Sequence, residues 1–160
     1  MPNGKENDTT RARTSIANIS AGEAGFFFGA LAAARDRMGE VTQDLAREYG
    51  LGPRGPWIVA LISRRPISPY EVASMLNIGR SLVTAELTQL QEAGLVHYER
   101  STSDRRRVEL SLTPEGFVLA NRVSDGLVAL LQGRLKRYSK KHLALVGQML
   151  TDLAGGNHYF

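Results

Sequence analysis

The chain has 160 residues, 42% hydrophobic and 22% charged, with no cysteine and a formal net charge of +4. That is enough apolar sequence for one packed domain with extensions, which excludes a chain disordered throughout. The lack of cysteine excludes disulfides, thiolate zinc sites, iron–sulfur clusters and thiol-based redox sensing, and the small basic excess permits a nucleic-acid partner without requiring one.

Residues 1–20 hold almost no apolar side chains and read as a disordered arm, a solvated tail unless Arg11 and Arg13 reach for DNA phosphate or minor groove. The start, MPNGKENDTTRARTS, has no apolar stretch behind it and is not a secretory signal. No apolar run approaches the roughly 18 residues of a bilayer span. The expectation is a soluble cytoplasmic protein with no membrane partner. From Ala21 to Tyr49 the spacing is helical, with Phe28, Leu31, Arg35, Met38, Thr42, Leu45 and Tyr49 forming one seam that Gly50, Gly52 and Pro53 end. A seam that long at the start of a small protein suits packing against a partner chain. Residues 55–65 form a short apolar helix, with Trp57, Ile58, Leu61 and Ile62 inward and Pro66 at its end.

Ser68-Pro69-Tyr70-Glu71 opens the next helix, with Ser68 as N-cap, Pro69 at the first position and Glu71 completing a capping box. It runs to Leu76. After a turn at Asn77-Ile78-Gly79 comes a helix from Arg80 to Glu92, stopped at Ala93-Gly94. The period then changes. Residues 95–100 and 108–112 alternate as two strands around the basic loop 101–107, which makes a hairpin with a charged tip. Thr113 caps and Pro114 opens a long amphipathic helix reaching about Tyr138. A last helix, about Ser139 to Leu153, carries Leu143, Val146, Leu150 and Leu153 on one stripe. There is no internal repeat.

Helix, turn, helix and a basic-tipped hairpin make a winged helix-turn-helix. The fold class is therefore mostly α with a small β-hairpin wing, a winged helix-turn-helix domain plus dimerisation helices. On the helix from Arg80, Val83, Leu87 and Leu90 define the buried stripe, with the acids Glu86 and Glu92 toward the sides and the far end. The opposite face carries Ser81, Ala85, Thr88 and Gln89, flanked by Leu82 and Thr84. Short, acid-free side chains of this kind suit a major groove, offering hydroxyls and amides to base edges and methyls to thymine. The helix start at Gly79, Arg80 and Ser81 favours a phosphate through its free N–H groups. Arg100 and the tip residues Arg105, Arg106 and Arg107 suit the backbone or a narrow minor groove, with Asp104 orienting an arginine.

These residues resemble the MarR family of winged-helix transcriptional regulators. The stretch Ile67 to Gly116 carries the resemblance, through Leu76 to Thr84, Leu87-x-x-Leu90-x-x-Ala93-Gly94-Leu95-Val96, the wing Ser103 to Arg107, and Leu110-Ser111-Leu112-Thr113-Pro114-Glu115-Gly116. With the flanking helices it covers residues 22–154. The resemblance implies a homodimer built by the first and last two helices, a double-stranded pseudo-palindromic operator, and an effector pocket between the dimer region and the DNA-binding lobe. Domain organisation on this reading is an arm at 1–20, dimerisation helices at 21–50 and 117–154, and a DNA-binding lobe at 55–116. The family often has a basic residue where this chain has Ala85, so the operator sequence does not carry over from relatives. The expected function is ligand-responsive transcriptional regulation, with repression as the default; the alternative is a winged-helix protein-interaction module that does not bind DNA.

No enzyme is expected. His97, His142 and His158 are scattered, Ser63 and Ser103 have no base partner, and no phosphate loop, dinucleotide fingerprint or nucleophile elbow is present. No cofactor or metal is implied. The effector is expected to be a small organic molecule, an aromatic acid or its CoA thioester. Phe26, Phe27, Phe28, Trp57 and Tyr70 either line an aromatic-accepting cavity or are plain core. Arg35, on the seam of the first helix, needs an anion: an effector carboxylate, Asp36, Asp44 or a partner's glutamate. The acid-free cluster Arg134, Lys136, Arg137, Lys140 and Lys141 either holds effector phosphates, with Lys140 and Lys141 foremost, or caps a helix and aids solubility.

Overall fold

Apolar residues at two different periods, helical up to Gly94 and alternating after it, translate into six helices and one hairpin among the described residues. The computed structural model describes residues 18–100 and 108–155. They fall into two compact units, residues 1–37 and residues 38–160.

Most of helix α1 (Ala21–Glu48) lies in the first unit. It opens on a capping box: Ser20 Oγ accepts the Glu23 N–H at 3.2 Å, and Glu23 Oε2 accepts the Ser20 N–H at 2.8 Å. Phe27 and Phe28 meet edge to face at 5.6 Å, yet Phe28 is 56% exposed and Phe26 81%. Only in the second unit does the α1 seam find cover, where Thr42, Leu45 and Ala46 are buried.

The remaining elements of the second unit are α2 (Gly55–Ile62), α3 (Pro69–Leu76), α4 (Arg80–Glu92), β1 (Val96–Arg100), β2 (Val108–Leu112), α5 (Pro114–Arg134) and α6 (Lys140–Leu153). The α3 box is present as the sequence reads, with Ser68 Oγ accepting from the Glu71 N–H and Glu71 reaching back to the Ser68 N–H. Asn77 turns the chain in the left-handed region at φ 50°, which asparagine tolerates. Gly94 does the same after α4 at φ 69°, so the chain reverses into β1 without a side-chain penalty.

Ile58, Val59, Ile67, Val72, Val83, Leu87, Leu90, Leu95, Leu110, Leu119 and Val123 make the core, each at most 1% exposed. The hairpin pairs Val96 with Leu112, Tyr98 with Leu110 and Arg100 with Val108. The strand pattern did not reveal a further pairing: Ile67 and Leu110 exchange backbone hydrogen bonds at 3.3 and 2.8 Å. This joins the base of the hairpin to the α2–α3 link. At Gly116 a Cβ would sit 2.1 Å from the Leu95 carbonyl oxygen, so the first turn of α5 lies against the strand entry only because no side chain is there.

Two boundaries differ from the sequence reading. Helix α2 ends at Ile62 rather than near Arg65, because residues 63–65 form a turn leading into Pro66. Helix α5 ends at Arg134, four residues before Tyr138. A turn closed by Tyr138 N–H to Leu135 O at 2.9 Å follows, and Ser139 then caps α6 in a box where His142 Nδ1 takes the role usually held by glutamate.

Candidate nucleic-acid interface

Helix α4 is held from behind and bare in front. Val83, Leu87 and Leu90 are at most 1% exposed, whereas Ser81, Leu82, Thr84, Ala85, Thr88 and Gln89 are all exposed. Its N-cap is Gly79, with no side-chain capping bond and no acid in the first turn. The first N–H groups and the positive end of the helix dipole thus face outward beside the exposed Arg80, an arrangement that suits a phosphate.

The exposed face has a definite hydrogen-bond state. Thr84 donates its hydroxyl to the Arg80 carbonyl at 3.0 Å, and Thr88 donates to the Thr84 carbonyl at 2.9 Å. Gln89 Oε1 accepts the backbone N–H of Gly52 at 3.1 Å. This last bond ties α4 to the loop that leaves α1. Sequence reasoning takes Gln89 as a base reader and does not foresee the tie.

Nor does it foresee Glu86. Read as lying toward the side of α4, it is in fact 6% exposed. Its Oε1 lies 3.7 Å from Arg54 Nη1, and its Oε2 is buried with no hydrogen-bond partner. The signal was in the spacing: residues 83, 86, 87 and 90 follow the i, i+3, i+4, i+7 pattern of a buried stripe.

Arg100, at the end of β1, is exposed. Asp104, Arg105, Arg106 and Arg107 lie outside the described residues, as do Arg11 and Arg13. Glu99 stands opposite Glu109, and His97 opposite Ser111. His97 Nε2 lies 2.5 Å from Glu99 Oε1. That bond, with help from Ser111, holds the Glu99 carboxyl below its usual range.

Behind the lobe, the end of α1 is clamped to α5. Arg122 donates to both oxygens of Glu48 at 2.6 and 2.7 Å and lies over the Tyr49 ring at 5.8 Å. Tyr49 donates its hydroxyl to Glu115 Oε1 at 3.0 Å. The paired guanidinium holds the Glu48 carboxyl below its usual range.

The groups considered for an effector fall in both units. Phe28 and Arg35 belong to the first unit. In the second, Trp57 is half-buried on α2 and Tyr70 is exposed on α3. A groove of about 810 Å³ runs between α5 and α6, walled by Val128, Leu131, Leu135, Leu143, Leu145 and Val146, with Lys136 and Lys140 among its lining. Lys141, Trp57 and Tyr70 do not line it. Helix α6 buries none of its residues, and Leu143, Val146, Met149 and Leu153 are each at least 44% exposed.

Known proteins share this pattern. A family model described as MarR family matches residues 49–107. The HTH-type transcriptional regulator PecS of Dickeya dadantii (strain 3937) is 36% identical over 114 residues, 66% of this chain and 69% of that protein. The HTH-type transcriptional repressor YetL of Bacillus subtilis (strain 168) is 25% identical over 147 residues, 90% of this chain and 87% of that protein. Among solved structures, CouR from Rhodococcus jostii RHA1, bound to p-coumaroyl-CoA, has a TM-score of 0.68 at 17% identity, covering 88% of this chain and 95% of that one. At that identity the likeness is one of fold. Among the described residues no helix is long and apolar enough to cross a membrane, and no group of His, Asp and Glu is placed to hold a metal ion.

Proposed function

The chain belongs to the MarR family of winged-helix transcriptional regulators, and from that premise we propose that it is a repressor which binds an inverted-repeat operator as a homodimer and is released by a small organic effector. The observation that carries the DNA-binding part is the face of α4: exposed, free of acid in its first turn and opening on an N-terminus with no side-chain cap. Ser81, Leu82, Thr84, Ala85, Thr88 and Gln89 are its base-facing residues. Arg80, Arg100, Arg105, Arg106 and Arg107 supply phosphate and groove contacts, and Asp104 orients a wing arginine.

The homodimer reading is supported by α6, which buries nothing within its own chain while presenting an apolar stripe beside the apolar wall of α5. A second copy is the natural cover for such a face. The interface uses residues 21–50 and 117–154, leaving 55–116 as the DNA-binding lobe and 1–20 as an arm. Two recognition helices about one DNA turn apart, roughly 34 Å, then demand an inverted repeat. A dimer seated on a promoter blocks polymerase without further contacts, which favours repression.

The effector reading rests on charge. Lys136 and Lys140 line a mostly apolar groove that Gln132, Ser139 and His142 also border, with Lys141 next in sequence, and CouR was crystallised with an aromatic CoA thioester. An aromatic acid or its CoA thioester is the proposed class, with Phe28, Arg35, Trp57 and Tyr70 as further candidate contacts. Sedimentation of the full chain, together with selection from a pool of random DNA duplexes, tests the whole reading. A dimer that enriches an inverted repeat, and lets go of it when the thioester is added, supports it. A monomer refutes the dimer. A pool that enriches nothing refutes the operator and leaves a protein-interaction module.

A further inference from the structure

We propose that α4 reads its half-site chiefly through the methyl groups of thymine, so that the bases under Thr84, Ala85, Thr88 and Leu82 are A·T pairs presenting thymine to this face. The inference rests on the operator reading above and specifies its DNA. Reading a base edge by hydrogen bonds draws on a paired amide oxygen and nitrogen for adenine, a bidentate cation for guanine, or a hydroxyl with a free donor or acceptor.

On this face the amide is engaged, a bidentate cation is absent beyond Arg80, and the two threonine hydroxyls have their donors in use. Gln89 has given its amide oxygen to the Gly52 N–H at 3.1 Å, so the two-point contact with adenine is closed to it while the loop stays docked. Both threonine hydroxyls donate within the helix, Thr84 to Arg80 and Thr88 to Thr84, at 3.0 and 2.9 Å. Each threonine thus keeps only acceptor capacity on its oxygen, and its Cγ2 methyl is the remaining group of an exposed side chain. Ala85, between them on the same face, adds a third methyl, and the 38% exposed Leu82 adds an apolar flank. No lysine or arginine follows Arg80 on α4. In the major groove of unmodified DNA the C5 methyl of thymine is the one apolar group on a base edge, and it is the group this surface complements.

The test uses the full-length protein and a duplex enriched from a random pool. That duplex is synthesised with thymine, and again with uracil in place of thymine in the half-sites, which removes only the methyls. The uracil duplex is expected to bind more weakly by about four-fold for each methyl that α4 covers, with uracil in the outer flanks having no such effect. The double variant Thr84→Ser with Thr88→Ser keeps both hydroxyls and their backbone bonds, and is expected to lose the part of the preference for thymine over uracil that the two methyls supply, while melting within a few degrees of the parent. Equal binding of the two duplexes by the parent protein, or an undiminished thymine preference in the serine variant, overturns the inference and leaves the operator reading intact. A pool that enriches no sequence overturns both.

Discussion

Replacing Glu86 by leucine is expected to stabilise the protein. Three effects decide the sign. The carboxylate is 6% exposed, and its Oε2 has no hydrogen-bond partner; a buried polar group left in that state costs about 1–3 kcal/mol. Its ionic neighbour among the described residues, Arg54, is 3.7 Å away with its side chain 44% exposed. At that distance and exposure the pair contributes less than about 1 kcal/mol, and Arg54 released from it is simply solvated. Leucine is close to glutamate in volume and joins a stripe that already holds Val83, Leu87 and Leu90.

Gly52 lies beside the carboxylate, and because a Cβ added there would sit 2.8 Å from Glu86 Oε2, it is the glycine that leaves room for a side chain at position 86. The net expectation is a gain of about 1 kcal/mol, or about 3 °C in melting temperature for a chain of this size. Thermal unfolding near neutral pH, at one fixed protein concentration because association shifts the midpoint, reads it directly. Glu86→Gln is the control: it keeps the shape and removes the charge, so it should fall between parent and leucine. A leucine variant destabilised by about 1 kcal/mol or more would refute the reasoning, since it would mean that the carboxylate is satisfied where it lies.

Ser68→Ala removes one half of the α3 capping box and is expected to cost about 1 kcal/mol in urea unfolding. Arg122→Ala should remove a pH-dependent contribution: Glu48 titrates below its usual range because of Arg122, so the pair's contribution is complete above the unfolded value of about 4.3 and is lost as pH falls through the lower folded value. Parent and variant stabilities should therefore converge in acid. Leu143→Glu with Val146→Glu places charge on the exposed stripe of α6 and should yield a monomer by sedimentation that no longer retains operator DNA. Arg106→Ala should lower the slope of log affinity against log salt by about one for each phosphate that the arginine neutralises.

The lobe was legible because its signals are local. Ser68-Pro69-Tyr70-Glu71 specifies a helix start by chemistry contained in four residues, and the structure shows both halves of the box. The change from helical to alternating spacing after Gly94 places the hairpin, and its register follows from which residues are apolar. The boundaries that moved are those set by weaker chemistry. Nothing between Gly133 and Tyr138 forbids helix, and the α5 stop depends on the Ser139–His142 cap of the following helix, a box whose usual glutamate is replaced by an imidazole.

The site was legible only as a surface, since spacing orders side chains around an axis and is silent about what each atom is bonded to. It put Thr84, Thr88 and Gln89 on the outer face of α4, where they are exposed. It did not reveal that two hydroxyl protons are committed to carbonyls and one amide oxygen to Gly52, commitments that leave the two threonines as acceptors and hold the Gln89 amide toward the loop. The same bond gives Gln89 a second importance. Gly52 lies on the loop between α1 and α2, so a shift of that loop would pull on Gln89 and, through the adjacent Glu86, on the buried side of α4. Releasing the Gly52 bond also frees the amide oxygen that adenine would require.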